Sequence, residues 1–201
     1  MIRKHGLKDE EELQGYFTNK MAEHLKLKGK RILVWNEAAK SGKLDKDAML
    51  QFWFEVPGAK YSRNETRNGR KTIVSRNYNY YLDYSYGVTS LYKAFNFNPL
   101  NLISGKDGKE NIVGIEAPLW TEWVPNEKKV FTQTFPRLFA VAERGWAPNS
   151  NNYYDFKDRL FNVLDLMQVY EYDYTDIKDA NPWPITAAID AIKFQRQWIK
   201  A

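Results

Sequence analysis

Cysteine is absent from the chain and histidine occurs only twice. Without thiols there is no disulfide framework, no thiolate metal site and no cysteine nucleophile. His5 and His24 have no metal-ligating partner at usable spacing, so a histidine-built metal centre is not expected either. The sequence also lacks a G-x-S-x-G elbow, a Walker loop, a Rossmann glycine fingerprint and an H-E-x-x-H helix, which removes support for the chemistries those motifs serve. No apolar run approaches the roughly 18 residues of a membrane-crossing helix, and the opening MIRKHGLKDEEE has no signal-peptide core. A soluble chain with no cofactor and no metal is the expectation, and its compartment is not written in it.

What the chain has is aromatic surface: seven Trp and thirteen Tyr among 201 residues. That length can bury a hydrophobic core but falls short of a whole (β/α)8 barrel of about 250 residues. A net charge of +5 with a pI near 9.1 raises the question of nucleic acid. The basic residues are mostly interleaved with acids, and the one basic stretch, Lys60 to Lys71, reads as a solvated loop between strands. No nucleic-acid partner is expected.

Residues 9–28 carry Leu13, Tyr16, Phe17, Met21 and Leu25 at helical spacing, opened by Asp9 and Glu12 as a capping box and stopped at Gly29. Short apolar strands are expected at Arg31–Trp35, at Met49–Phe54 closed by Pro57 and Gly58, from about Thr72, and at Asn111–Ile115. Glu37 to Ala48 has room for a short helix only. The mixed stretch from Tyr84 to Lys109 holds a short helix at Thr89–Phe95 and turn signals. Helices are expected at Lys129–Arg144, Tyr154–Met167 and Ile185–Ile199, with an irregular segment before the last. Helices between and after parallel strands predict an α/β fold, as a half barrel or a small open sheet, and the start in helical territory suggests a missing front portion.

The strand ends carry the chemistry. ILVWNE, LQFWF, TIVSRNYNYYLD and IVGIEAPLWTE bring Trp35, Trp53, Tyr81 and Trp120 to the carboxyl ends of four apolar runs, where parallel α/β sheets build their sites. Asp83 and Glu122 each follow an aromatic residue by two positions, a spacing that points both side chains to one face of an extended segment. Aromatic faces beside carboxylates suit a sugar, with its apolar C–H faces and rim of hydroxyls. For one Trp, core packing is the ordinary reading; three at matching strand ends favour a pocket. Glu37 reads equally as a ligand contact or as an anchor for the strand end.

At GKRILVWNEA, LQFWF, YYLDY, GIEAPLWTEWV and RLFAVAERGWAP, over about residues 7 to 148, the sequence resembles the C-terminal half of the catalytic barrel of glycoside hydrolase family 20, the β-N-acetylhexosaminidases. The resemblance implies a partial TIM (β/α)8 barrel, strands five to eight with their helices, over residues 1–148. Residues 149–201 become a helical extension packing on it. It implies that Trp35, Trp53 and Trp120 box the N-acetyl methyl of the substrate, that Tyr81 donates its hydroxyl to the acetamide carbonyl, and that Asp83 and Glu122 bind the O4 and O6 hydroxyls. Tyr81 is then the catalytic positioning residue and the other five bind substrate. The family's mechanism is substrate-assisted: the acetamide oxygen attacks the anomeric carbon, while a glutamic acid protonates the leaving oxygen and an aspartate steadies the acetamide.

Two departures matter. The family's Asp-Glu pair, usually within GGDE, has no counterpart, since DEEE at Asp9–Glu12 opens a helix. The family's first-strand arginine is absent too, and SLYKAFNFNP stands where many relatives carry a further tryptophan. The expected parent enzyme, exported or periplasmic by resemblance, hydrolyses terminal N-acetyl-β-D-hexosamine residues of glycans; this chain alone is expected to be inactive. Two other readings stay open, a non-catalytic sugar-binding half barrel and a structural α/β domain with its tryptophans in the core. Unpaired strand edges predict self-association or pairing with a complementary N-terminal half.

Overall fold

A computed structural model describes residues 1–56 and 59–200, and the side chains of all of these up to residue 196. Pro57 and Gly58, the expected stop of the second strand, lie outside the described residues. The chain divides into two compact units, Met1–Val74 with Pro99–Ile115, and Ser75–Asn98 with Glu116–Ala201.

The first unit opens with helix α1 (Glu10–Lys26). The Asp9 carboxylate accepts the Glu12 N–H at 2.9 Å, and the Glu12 side chain reaches back to the Lys8 N–H at 3.0 Å. The cap was legible, but the packed face differs from the expected one. Phe17 is 63% exposed and Met21 also faces solvent, while Gly15 and Ala22 are buried. A glycine at the contact lets the helix backbone approach the 3-10 turn Asn36–Ser41 closely.

Four short strands follow, β1 (Leu33–Trp35), β2 (Met49–Phe52), β3 (Thr72–Val74) and β4 (Ile112–Ile115). They form one parallel sheet in the order β1-β2-β3-β4. This is the sheet expected of part of a (β/α)8 barrel. Trp35 pairs with Gln51, Phe52 with Val74, and Val74 with Ile115, so the strands finish nearly level. Leu50, Phe52 and Val74 are fully buried, and Ala38, Ala39 and Leu44 pack around Leu50.

The basic stretch after β2 is a helix, α2 (Ala59–Arg67), and not the expected loop. Its buried residues are Ala59, Ser62 and Thr66, spaced for one helical face but too small and polar to read as a core stripe. Thr66 back-bonds to the Ser62 carbonyl at 2.8 Å and shares a hydroxyl contact with Thr72 at 2.8 Å.

The second unit contains α3 (Asn77–Tyr80), α4 (Leu91–Asn96), α5 (Glu127–Thr134), α6 (Arg137–Trp146), α7 (Tyr153–Val169), α8 (Ile177–Ala180) and α9 (Pro184–Lys200). The single helix expected over Lys129–Arg144 is two, because Pro136 has no N–H to continue the ladder and its ring crowds the preceding turn. Its core joins Leu91, Ala94 and Phe95 to Ala140 and Val141, and Phe95 stacks on Phe156 at 4.8 Å. On α7, Phe156, Leu160, Leu164 and Met167 form the buried stripe.

A Cβ added at Gly15 would lie 2.5 Å from the Ser41 Cβ and 2.7 Å from its hydroxyl. Gly15→Ala should therefore destabilise the chain by about 1–3 kcal/mol in urea unfolding, despite alanine's better helix propensity. Adding Ser41→Gly should return part of the loss. An unchanged midpoint for Gly15→Ala would contradict this close approach.

Candidate functional site

In the first unit the strand ends hold two of the expected tryptophans. Asn36, fully buried, accepts the Trp53 N–H at 3.0 Å and donates to the Phe54 carbonyl at 3.1 Å, clamping the chain after β2 to the end of β1. The Trp53 indole N–H donates to both oxygens of Glu37, at 2.8 and 2.9 Å. Trp35 meets Trp53 edge to face at 6.2 Å and remains 37% exposed. Glu37, read equally as a ligand contact or as an anchor for the strand end, holds an indole N–H and not a backbone amide. Asn36 went unnoticed; the only signal was a short amide directly after an apolar strand.

In the second unit the premise for Tyr81 and Asp83 changes. β3 stops at Val74, and Asn77–Tyr80 is a helical turn, closed where the Tyr80 N–H donates to the Arg76 carbonyl at 2.8 Å. Tyr81 and Asp83 therefore sit in a loop after that turn, not at an extended strand end. Trp120 likewise follows β4 by several residues, and Glu122 lies in the 3-10 turn Thr121–Trp123. Loop pairing still brings the segments together: the Leu82 N–H donates to the Pro118 carbonyl at 2.8 Å. The Tyr81 ring, buried, lies 6.2 Å from Trp120 and 5.6 Å from Tyr84, and Trp120 keeps 43% of its surface exposed.

Asp83 is only 2% exposed, and one of its carboxylate oxygens is buried with no hydrogen-bond partner. Burial pushes its carboxyl up to about 6, against the lowering effect of the Asp83 and Trp120 backbone amides and of Arg137, and Glu122 adds a further upward push. Asp83 and Glu122 line a cavity of about 460 Å³ with Ser85, Gln133 and Lys193. Glu122 itself is exposed.

The loop is held by Arg137, the first residue of α6 and fully buried. Its guanidinium donates to the carbonyls of Tyr84 at 2.7 Å, Thr89 at 3.0 Å and Gln133 at 2.7 Å, and to that of Leu82. It also lies 4.1 Å from the Tyr86 ring centre, and the Gln133 carboxamide donates to the Asp83 carbonyl at 3.2 Å. Among the described residues no carboxylate hydrogen-bonds this arginine; main-chain dipoles and a ring face surround it, with Asp83 and Asp190 acting on its charge through space. Sequence reasoning missed it, because nothing in a Pro-Arg dipeptide names distant carbonyls as partners. Among the described residues no cluster of three or more His, Cys, Asp or Glu could hold a metal.

With this geometry in view, comparison with known proteins gives one family. The catalytic-domain model of glycosyl hydrolase family 20 matches residues 1–149. A β-hexosaminidase of Porphyromonas gingivalis is 30% identical over 185 residues, covering 86% of this chain and 23% of that protein. A β-hexosaminidase of Vibrio furnissii is 30% identical over 72% of this chain and 25% of its own length. The structure of a GH20 exo-β-N-acetylglucosaminidase from Vibrio harveyi with N-acetylglucosamine superimposes with a TM-score of 0.76 at 27% identity, over 88% of this chain and 29% of that one. The chain therefore spans about a quarter of the length of these curated relatives. It belongs to glycosyl hydrolase family 20 through its catalytic domain.

A carboxyl raised to about 6 penalises the folded state once it ionises. The sign follows: the folded chain favours protonated Asp83, so this contribution to stability falls as pH rises from about 4 to about 6 and stays low above it. Asp83→Asn should consequently stabilise the chain by about 2–3 kcal/mol at pH 7.5 and by little at pH 4, read from urea unfolding at both values. An equal effect at the two pH values would show that Asp83 is not so perturbed.

Proposed function

We propose that this chain supplies the substrate-holding portion of an enzyme that removes terminal, non-reducing N-acetyl-β-D-hexosamine residues from glycans, with retention and with help from the substrate's own acetamide. Residues 1–148 are read as strands five to eight of the catalytic barrel with their helices, and residues 149–201 as a helical extension. Trp35, Trp53 and Trp120 enclose the acetamide methyl. Tyr81 donates its hydroxyl to the acetamide carbonyl and so aims the oxygen at the anomeric carbon, an orientation effect that can be worth many kcal/mol. Asp83 and Glu122 accept from the sugar hydroxyls.

The observation that carries this reading is the Asp83 carboxylate, buried beside a cavity with one oxygen unpartnered. Leaving such an acceptor unmade costs about 1–3 kcal/mol, more when it is charged, and a ligand hydroxyl would satisfy it. The reading also draws on family membership and on the Tyr81–Trp120 ring contact. The exposure of Trp35 and Trp120 runs against a purely structural role, in which all three tryptophans would be enclosed.

The sequence contains no GGDE segment, and Asp9 is spent as the N-cap of α1. No residue here takes the part of the general acid, so the chain by itself is a binder and not a catalyst. β1 and β4 each have one neighbour in the sheet, and Leu33 and Val113 on them are exposed. Such edges favour a complementary barrel half or self-association.

Titration with N-acetylglucosamine, followed by tryptophan fluorescence, should give saturable binding that weakens at least tenfold in Tyr81→Phe. An aryl N-acetyl-β-glucosaminide should not be hydrolysed by the same preparation. A folded chain whose fluorescence ignores the sugar contradicts the binding role, and turnover abolished by Tyr81→Phe contradicts the inactivity.

A further inference from the structure

Helix α9 lies entirely beyond the family-matched residues 1–149, and it is packed inside out. Ile185, Ile189 and Ile192, spaced for one face, are 78%, 50% and 50% exposed. The opposite face turns Ala187, Asp190 and Phe194 toward the loop that carries Asp83. A helix that sends its apolar stripe to solvent and a carboxylate inward is fitted to a polar cavity, not to a core.

The fit is close. Asp190 accepts the Gly87 N–H at 2.7 Å. A Cβ on Gly87 would meet the Ala187 carbonyl oxygen at 2.5 Å and the Asp190 Cβ at 2.7 Å. Phe194 packs on Tyr84 at 4.9 Å, and Tyr84 on Tyr81 at 5.6 Å, so α9 backs the ring that backs the proposed acetamide donor. Ahead of the helix, Asn181 accepts the Tyr92 N–H and donates to the Tyr153 hydroxyl, both at 2.8 Å, which fixes where α9 begins. Asp190, Lys193 and Phe194 line the same cavity as Asp83 and Glu122.

We infer that α9 forms a wall of the sugar pocket in this chain, with Asp190 and Lys193 as specificity-determining residues that face the hydroxyl end of a bound N-acetylhexosamine and Phe194 as a positioning residue for Tyr81. This rests on the reading of the cavity as a sugar site. The ammonium of Lys193 at the rim donates to ring-substituent oxygens, while Asp190, held by Gly87, keeps a second acceptor near the hydroxyls. The wall also covers Asp83, whose charged surroundings are Glu122 from its own side of the cavity, Lys129 from α5, Arg137 from α6, and Asp190 and Lys193 from α9.

The test uses full-length variants Gly87→Ala, Phe194→Ala and Lys193→Met, checked for folding by circular dichroism. Two quantities are read: affinity for N-acetylglucosamine, and the titration midpoint of the Asp83 carboxyl by carbon-13 NMR. Displacing the wall with Gly87→Ala or Phe194→Ala should weaken the sugar at least tenfold and move the midpoint down by about one pH unit or more from about 6. Lys193→Met should weaken the sugar about threefold or more with the Gly87 amide still protected from exchange. Unchanged or tighter binding in the folded variants overturns the proposal, tighter binding because α9 would then be a cover. If the unaltered chain binds no sugar, the functional reading fails by itself. The wall is then judged by the midpoint alone, with a fall supporting it and no change overturning it.

Discussion

One buried cation organises the second unit. The Arg137 guanidinium spends its donors on the carbonyls of Leu82, Tyr84, Thr89 and Gln133 and places its face against Tyr86. The carbonyls of Leu82, Tyr84 and Thr89 belong to a loop that has no sheet or helix of its own to satisfy them, and that of Gln133 lies in the last turn of α5. Lysine, a point charge with three donors, cannot reproduce a planar fork that reaches several acceptors at once. Tyr81 and Asp83 owe their places to this knot, since Tyr81 precedes Leu82 and Asp83 lies between Leu82 and Tyr84. The Gln133 carboxamide adds a bond to the Asp83 carbonyl and ties the same loop to α5.

The cost of the arrangement falls on Asp83. Its carboxylate is enclosed with one oxygen unpartnered and with Glu122 as a like charge nearby, which is why its carboxyl titrates high. A group selected for stability alone would be an asparagine or an apolar residue there. Perturbed carboxylates of this kind gather at sites that handle ligands. The first unit shows the same economy in milder form, with Glu37 given to the Trp53 indole and Asn36 to the backbone after β2.

The helix α1 with its cap, the parallel strands, and Trp35 and Trp53 at the ends of β1 and β2 were legible because each has a local signature: a capping box, an apolar run, an aromatic stop. The misreadings have local causes as well. α2 turns Ala59, Ser62 and Thr66 inward, so no apolar stripe announced it. The Tyr81–Asp83 segment looked extended because it is rich in tyrosine, yet main-chain bonds from Tyr80 to Arg76 and from Tyr81 to Asn77 close a helical turn first. Asn36, Arg137 and α9 were invisible as site-building parts for a different reason. Their partners are main-chain groups and a glycine far away in sequence, and no residue pattern records a carbonyl.

In the proposed site, Arg137 holds the loop in the shape that lets Tyr81 and Asp83 meet a sugar. The decisive measurement is amide hydrogen exchange over residues 82–89 in Arg137→Lys, made alongside N-acetylglucosamine affinity. Exchange in that loop should be faster by at least about a hundredfold and affinity lower by at least about tenfold, with protection in β2 and β3 preserved. Loop amides as slow as in the unaltered chain, with the sugar bound equally well, would contradict this role of Arg137.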